Sequence, residues 1–205
     1  MISMFISELL GAVLQVVLFA LIPFIVWLIT ARKTEKLLPW LGIKKPVPEE
    51  PAAKAWCIAA GAAVVYSVVM LLLLKFVFAG GVANSVSENF KGKGAAAIPA
   101  ILVYSFIRTG LSEELLFRGF LYKLLSKKLD FIPANTIQAL LFGALHGVPI
   151  FLASNNILAL ILLTLLPACM GWVMGWIDHK KNDGSVIPSW ILHGTVNLIS
   201  QLFTI

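Results

Sequence analysis

Three ionisable side chains lie close together in an otherwise apolar stretch, GLSEELLFRGF. Glu114 and Arg118 are four residues apart, so on a helix they share a face and can pair in the favoured Glu-before-Arg order. Glu113 points about 100° away from Glu114, because a turn contains about 3.6 residues. Glu113 is therefore the candidate general base. On position alone, all three charges could equally lie at a membrane interface in contact with water.

Two histidines and an asparagine in other apolar stretches extend this candidate chemistry. His146 lies in LLFGALHGVP, and His193 and Asn197 lie in IPSWILHGTVNL. Charged side chains at the bilayer centre cost at least about 2.5 kcal/mol on insertion scales, so ionisable residues there usually have functional or paired roles. Glu with His could deprotonate a water, while a second His and Asn could donate hydrogen bonds to an oxyanion. This set suffices for peptide hydrolysis.

The same donors allow a metal-dependent alternative. Glu113, His146 and His193 could hold one divalent metal, zinc being the first candidate, with one coordination position open. The HExxH pattern of soluble zinc proteases is absent, and no Ser or Cys has a base at comparable spacing. A glutamate-activated water and metal-assisted hydrolysis both remain open from the residues alone.

The composition indicates a membrane protein. The chain of 205 residues is 60% hydrophobic and only 13% charged, with a mean hydropathy of +0.93. Basic residues exceed acidic ones by six, but they lie between the apolar stretches, which fits membrane topology better than binding to nucleic acid. The expected partners are the lipid bilayer and a membrane peptide or protein.

The apolar stretches predict an all-α, polytopic transmembrane bundle of about six helices. We divide the chain into residues 1–94, with two helices and a cytoplasmic linker over 31–54, and a core over 95–205 that carries the candidate site. The six predicted helices cover residues 4–30, 55–79, 95–128, 134–153, 157–177 and 186–204. A short interfacial turn is expected near Leu37 to Leu41.

The distribution of Lys and Arg predicts orientation, because basic residues concentrate in cytoplasmic loops. One side carries twelve and the other carries two, which places both termini outside. Lys75 and Arg108 remain within helices, each near enough to an end to extend toward the interface. We expect Glu113, His146 and His193 to meet in a cavity that opens to the cytoplasm. The twelve basic residues are Arg32, Lys33, Lys36, Lys44, Lys45, Lys54, Arg118, Lys123, Lys127, Lys128, Lys180 and Lys181, and the two are Lys91 and Lys93.

Three motifs resemble those of one family. EELLFR is similar to the EExxxR motif, FGALH to FxxxH and HGTVN to HxxxN of the CPBP intramembrane proteases. That family includes the type II CAAX prenyl endopeptidases and bacterial Abi-type or bacteriocin-immunity proteins. The motifs occur in the family's order over about residues 98 to 204, each on its own apolar helix. The short chain is closer to a small bacterial relative, in a bacterial cell membrane, than to an enzyme for prenylated substrates.

The resemblance implies a role for each motif residue. Glu113 and His146 would activate the attacking water, and His193 and Asn197 would stabilise the oxyanion. Glu114 and Arg118 would be a supporting pair, in agreement with their spacing. The family is often described as metalloproteases, and a metal-free, glutamate-activated water has also been argued for its eukaryotic-type members.

Three functions are compatible with these residues. The first hypothesis is an intramembrane endopeptidase that hydrolyses a peptide bond near the cytoplasmic interface. The second is a non-catalytic immunity or binding protein of the same fold. The third is a proton-coupled transporter, since buried Glu and His also serve proton relays, although no inverted repeat is visible in the sequence.

Overall fold

The computed structural model describes residues 2–49, 52–77, 90–203 and 205, which form seven helices and no β-strand. The prediction of an all-α polytopic bundle is therefore confirmed. The helices are α1 (Ile2–Thr30), α2 (Leu37–Trp40), α3 (Ala52–Leu72, continuing as a wider π-helical turn to Val77), α4 (Gly94–Leu125), α5 (Phe131–Ser154), α6 (Ile157–Lys181) and α7 (Ile187–Leu202).

Each of the six predicted helices is present, and α2 forms at the expected interfacial turn. Five helices, α1 and α3 to α6, are long and apolar enough to cross a membrane. Helix α7 has 16 residues, fewer than the roughly 20 that a full crossing needs. Positions 78 and 79, at the predicted end of the second helix, lie outside the described residues, as do positions 50 and 51 of the predicted linker.

Two asparagines make the tight reversal between α5 and α6. Asn155 ends α5 in the left-handed conformation, with a φ of 51°, which Asn tolerates better than most residues. The Asn156 side chain then accepts a hydrogen bond of 3.0 Å from the backbone N–H of Ala159 and so caps the start of α6. The two long helices therefore run antiparallel and pack along their length.

Helix α4 is not a uniform α-helix. Wider π-helical turns cover Val103–Leu111 and Leu115–Leu121, and they flank a short α-helical turn at Ser112–Glu114. Such wide turns are frequent near functional sites, because they re-aim the side chains that they carry. The two candidate glutamates thus lie at the junction between two wide turns.

Five helices form an incomplete ring around a central cavity. Going around the ring, α4 packs on α7, α7 on α3, α3 on α6, and α6 on α5. Helix α5 closes the ring mainly against the Leu115–Leu121 and Tyr122–Leu125 parts of α4. Helix α1 packs on α4 from outside the ring.

An ion pair joins α1 to α4 and corrects one expectation. Arg108 does not simply extend toward an interface, since its Nη1 lies 2.9 Å from Oε2 of the buried Glu8. Its Nε also lies 3.4 Å from Gln15 Oε1. The sequence alone did not predict this pair, because nothing in either helix specifies which helix is its neighbour.

Glycines permit the close packing of α5 on α6. A methyl group at Gly143 would overlap the Thr164 carbonyl oxygen, and one at Gly147 would overlap the Thr164 hydroxyl. These two glycines therefore allow the backbones of α5 and α6 to approach closely. By contrast, a methyl group at Gly61, on α3, would have no neighbour within 4 Å.

We predict that Gly143→Leu lowers the thermal unfolding temperature in detergent, because the larger side chain forces α5 and α6 apart at a cost of about 1–3 kcal/mol. Gly61→Leu is the matched control and should leave the temperature nearly unchanged. Equal unfolding temperatures for the two variants would show that the α5–α6 contact is not as tight as described.

Candidate active site

Glu114 and Arg118 form a completely buried ion pair on α4. Both side chains are 0% exposed, and Arg118 Nη1 lies 3.3 Å from Glu114 Oε1. The guanidinium carbon also lies 4.2 Å from the centroid of the Phe142 ring, which adds a cation–π contact. The pair that the four-residue spacing predicts is therefore present. It lies in the protein interior and not at a water-exposed interface.

The same carboxylate reaches across to α7. Glu114 Oε1 lies 2.7 Å from Nδ1 of the buried His193. An ionised carboxylate only accepts hydrogen bonds, so His193 Nδ1 carries the proton and donates it. Helical spacing did not reveal this contact, because the two residues are 79 positions apart and on different helices.

His146 is oriented by its own helix. Its Nδ1 donates a 2.9 Å hydrogen bond to the backbone carbonyl of Phe142, one turn earlier on α5. The Phe142 ring packs beside both imidazoles, with ring centroids 4.7 Å from that of His146 and 5.7 Å from that of His193. Phe142 is thus a further site residue. The FGALH motif alone did not show that this Phe contacts and positions both imidazoles. With both Nδ1 atoms protonated, the Nε2 atom of each neutral ring is an acceptor.

Glu113 faces these two Nε2 atoms. Its Oε2 lies 4.0 Å from His146 Nε2 and 3.7 Å from His193 Nε2. Both separations are longer than a direct hydrogen bond. One small reactant placed between the three groups could therefore contact all of them. The Glu113 side chain is 15% exposed, whereas that of Glu114 is fully buried, so the adjacent carboxylates have different surroundings.

Asn197 lies one turn beyond His193 and is held by α4. Its Nδ2 donates a 2.8 Å hydrogen bond to Thr109 Oγ1, and the Thr109 hydroxyl donates to the Tyr104 carbonyl at 3.0 Å. The second N–H of the Asn197 amide remains available to a ligand. Thr109 was not singled out from the sequence, since a lone Thr in an apolar helix carries no distinctive signal.

One cavity of about 400 Å³ connects the candidate residues. Helices α3 to α7 all contribute to its wall. Glu113, His146, His193 and Asn197 all line it, so the structure brings together the four residues to which sequence analysis gave catalytic roles. Such a volume is typical of a pocket for a small ligand or a short stretch of peptide.

The cavity extends mainly toward one end of the bundle. From the candidate residues its lining continues to Ile150 near the end of α5, to Leu163 near the start of α6 and to Ser200 near the end of α7. These positions lie toward the Asn155–Asn156 reversal, away from the ends with most of the Lys and Arg residues. The expectation that the cavity opens to the cytoplasm stays a prediction.

A layer of buried polar residues lies between the candidate residues and the basic end of the bundle. Asp178 Oδ1 accepts a 3.1 Å hydrogen bond from the backbone N–H of Ser189 at the start of α7. Gln138 Nε2 donates to Asn135 Oδ1 at 2.8 Å. All four side chains are fully buried, as are Glu114 and Arg118. Sequence analysis missed Asp178, Asn135 and Gln138, because each lies near a predicted helix end where polar residues are ordinary.

The three proposed metal donors suit a divalent metal in type and orientation. Glu113 supplies a carboxylate, and His146 and His193 supply Nε2 atoms whose Nδ1–H groups are held by a carbonyl and a carboxylate, as in many metal sites. Ligand atoms in a tetrahedral zinc site lie about 3.4 Å apart, so the distances of 3.7 and 4.0 Å are a few tenths of an ångström too wide. As placed, no three His, Cys, Asp or Glu side chains among the described residues form a metal-binding group.

Fold and site together define a multi-pass membrane protein with a carboxylate–imidazole cavity within its helical bundle. The model of the type II CAAX prenyl endopeptidase Rce1-like family matches residues 94–199, just over half of the 205-residue chain, and the chain belongs to that family. The matched segment carries Glu113, His146, His193 and Asn197. No curated protein and no solved structure matches the chain.

We predict that Arg118→Met markedly destabilises the protein, because it leaves Glu114 buried without its cation. Removing one partner of a buried pair typically costs about 3–5 kcal/mol. The unfolding temperature in detergent measures the effect. Arg32→Met, at an exposed position at the start of the linker, is the control and should change it little. An Arg118→Met protein as stable as the control would contradict the described burial of the pair.

Proposed function

We propose that the chain is an intramembrane endopeptidase that hydrolyses a peptide bond of a membrane-associated protein or peptide with a glutamate-activated water. The observation that carries the proposal is the position of Glu113 Oε2, within 4.0 Å of both imidazole Nε2 atoms and on the wall of one cavity. Membership of a family of endopeptidases supports the reaction class. The bilayer and a polypeptide substrate are the implied partners.

Glu113 and His146 activate the nucleophile in this mechanism. A water bound between Glu113 Oε2 and His146 Nε2 donates hydrogen bonds to both. Its oxygen then attacks the peptide carbonyl carbon while Glu113 takes a proton. The hydrogen bond from His146 Nδ1 to the Phe142 carbonyl keeps Nε2 unprotonated and directed at this water.

His193 and Asn197 stabilise the oxyanion that forms. Asn197 donates through the Nδ2 hydrogen that Thr109 does not accept. His193 donates through Nε2 when its ring is protonated, and the Glu114 carboxylate against Nδ1 stabilises that imidazolium. Donors fixed before the reaction are effective in a site that excludes bulk water.

Collapse of the tetrahedral intermediate completes the reaction. The carbon–nitrogen bond breaks, and the leaving nitrogen receives the proton that Glu113 took from the water. The products are one new carboxylic acid and one new amine, which together hold both hydrogens of the water. If a divalent metal binds, Glu113, His146 and His193 would hold it, and it would act as a Lewis acid that lowers the pKa of a bound water.

We predict that Glu113→Gln abolishes cleavage of a single-span membrane peptide by the purified protein, with a rate loss of at least about a hundredfold, because the general base is removed. Mass spectrometry of the peptide products measures it. The fold should remain, since the Glu114–Arg118 pair is untouched, and the unfolding temperature checks this. Glu49→Gln, at a 66% exposed side chain, is the control and should cleave normally.

The same variant separates catalysis from a binding role. If protection in cells survives in Glu113→Gln, the alternative of a non-catalytic immunity or binding protein of the same fold replaces the enzyme. Cleavage that survives in this variant would instead contradict Glu113 as the general base. Loss in Glu113→Gln, with normal folding and a normal Glu49→Gln control, supports hydrolysis.

We predict that EDTA leaves the cleavage rate within about twofold, because a glutamate-activated water needs no metal. The rate is measured before and after chelation, and again after zinc is added back. Loss of cleavage with EDTA and recovery with zinc would contradict the glutamate-only mechanism. It would place the nucleophile on a metal held by Glu113, His146 and His193.

A further inference from the structure

Asp178 is a fully buried carboxyl group that the proposed mechanism does not use. It lies near the end of α6 and is 0% exposed. Burial takes a carboxyl group out of water, and hydrogen bonds within the protein must replace those that water made. Among the described residues, the hydrogen bonds of the Asp178 side chain all go to one residue, Ser189 of α7. An apolar side chain could fill the same space, so the contact with Ser189 is what the carboxyl group supplies.

The contact completes the hydrogen bonding of the first turn of α7. The first N–H groups of a helix have no acceptor within that helix. Pro188 has no N–H, and the Ile187 N–H donates to the Ser185 hydroxyl at 3.4 Å. The Ser189 N–H donates to Asp178 Oδ1 at 3.1 Å. Because Ser189 is itself 0% exposed, its N–H would otherwise be buried without an acceptor.

Two attachments at its start restrict the rotation of α7 about its own axis. The N–H of Val186, just before the helix, donates to the Gly42 carbonyl at 2.9 Å, which fixes where α7 begins. An attachment at the very end of a helix still allows the helix to turn, whereas one on the side of its first turn does not. Asp178 supplies this second attachment through Ser189.

The face of α7 that Asp178 holds also carries the two oxyanion donors. Ser189, His193 and Asn197 follow one another at intervals of four residues, so they lie on one face of the helix. A rotation that moved Ser189 away from Asp178 would therefore turn both donors as well. The Ser189 hydroxyl also interacts with the Glu114 carboxylate, which accepts the Nδ1 proton of His193.

We propose that Asp178 is a positioning residue, which accepts the Ser189 N–H and so sets the rotation of α7 at which the two oxyanion donors face the cavity. It acts through this hydrogen bond and does not touch the reacting atoms. The effect on cleavage rests on the proposed function. The effect on the His193 ring does not, and it can be measured in a protein without activity.

Cleavage kinetics test this role. Asp178→Leu removes the acceptor at similar size, and it should lower kcat at least about tenfold with KM within about twofold, because oxyanion donors act mainly in the transition state. Asp178→Asn keeps an Oδ1 that can accept the same hydrogen bond, and its kcat should stay within about threefold. Thr195→Val removes a hydrogen bond from the exposed face of α7 and is the control, with kcat within about twofold.

Two results would overturn the proposal. One is an unchanged kcat in Asp178→Leu, and the other is an equal loss of kcat in Asp178→Asn and Asp178→Leu, which would show that the hydrogen bond is not what matters. If Asp178→Leu does not fold, Asp178→Ser takes its place under the same limits, because its shorter side chain does not reach the Ser189 N–H.

Nitrogen NMR of the histidine-labelled protein in lipid tests the positioning without activity. The ring signals of His193 should shift in Asp178→Leu and stay close to their wild-type positions in Asp178→Asn. The His146 signals should not move in either variant. Unmoved His193 signals in folded Asp178→Leu would overturn the proposal. A wild-type protein without cleavage would instead count against the proposed function, and the NMR result would still decide the positioning.

Discussion

The burial of one carboxylate, Glu114, determines the geometry of the groups around it. A charge in so dry an interior is tolerated only with close partners, and Glu114 has two, Arg118 and His193. These contacts tie α4 to α7 and fix the proton of His193 on Nδ1. The Nε2 atom of His193 consequently faces Glu113, the next residue on α4. The charged pair thus orients the imidazole that Glu113 faces.

The interior of the bundle differs between its two ends. Toward the basic connections, buried polar side chains such as Asp178 and Gln138 make hydrogen bonds that join α5, α6 and α7. Toward the Asn155–Asn156 reversal the interior is a cavity with a largely apolar wall. Such a polar layer beneath the cavity favours the catalysis that we propose, because donors that are already fixed need no reorganisation during a reaction.

The spacing of residues within each helix predicted much of this arrangement, but it could not predict contacts between helices. The four-residue interval of Glu114 and Arg118 predicted their pair, and the offset of Glu113 predicted that it faces elsewhere. The apolar stretches predicted the helices themselves. The Glu8–Arg108 pair could not be predicted. The helical period of 3.6 residues gives the positions of residues within one helix, but it does not show which helices pack together. The end of the bundle toward which the cavity extends depends on the same packing between helices.

The protonation of the two imidazoles tests the central claim most directly. Solid-state nitrogen NMR of the histidine-labelled protein in lipid reports which ring nitrogen carries the proton. The account predicts a proton on Nδ1 of both His146 and His193, with the His193 signal shifted in Glu114→Gln and the His146 signal unchanged. A neutral His193 with its proton on Nε2 would leave Glu114 facing an unprotonated nitrogen, and it would contradict the account.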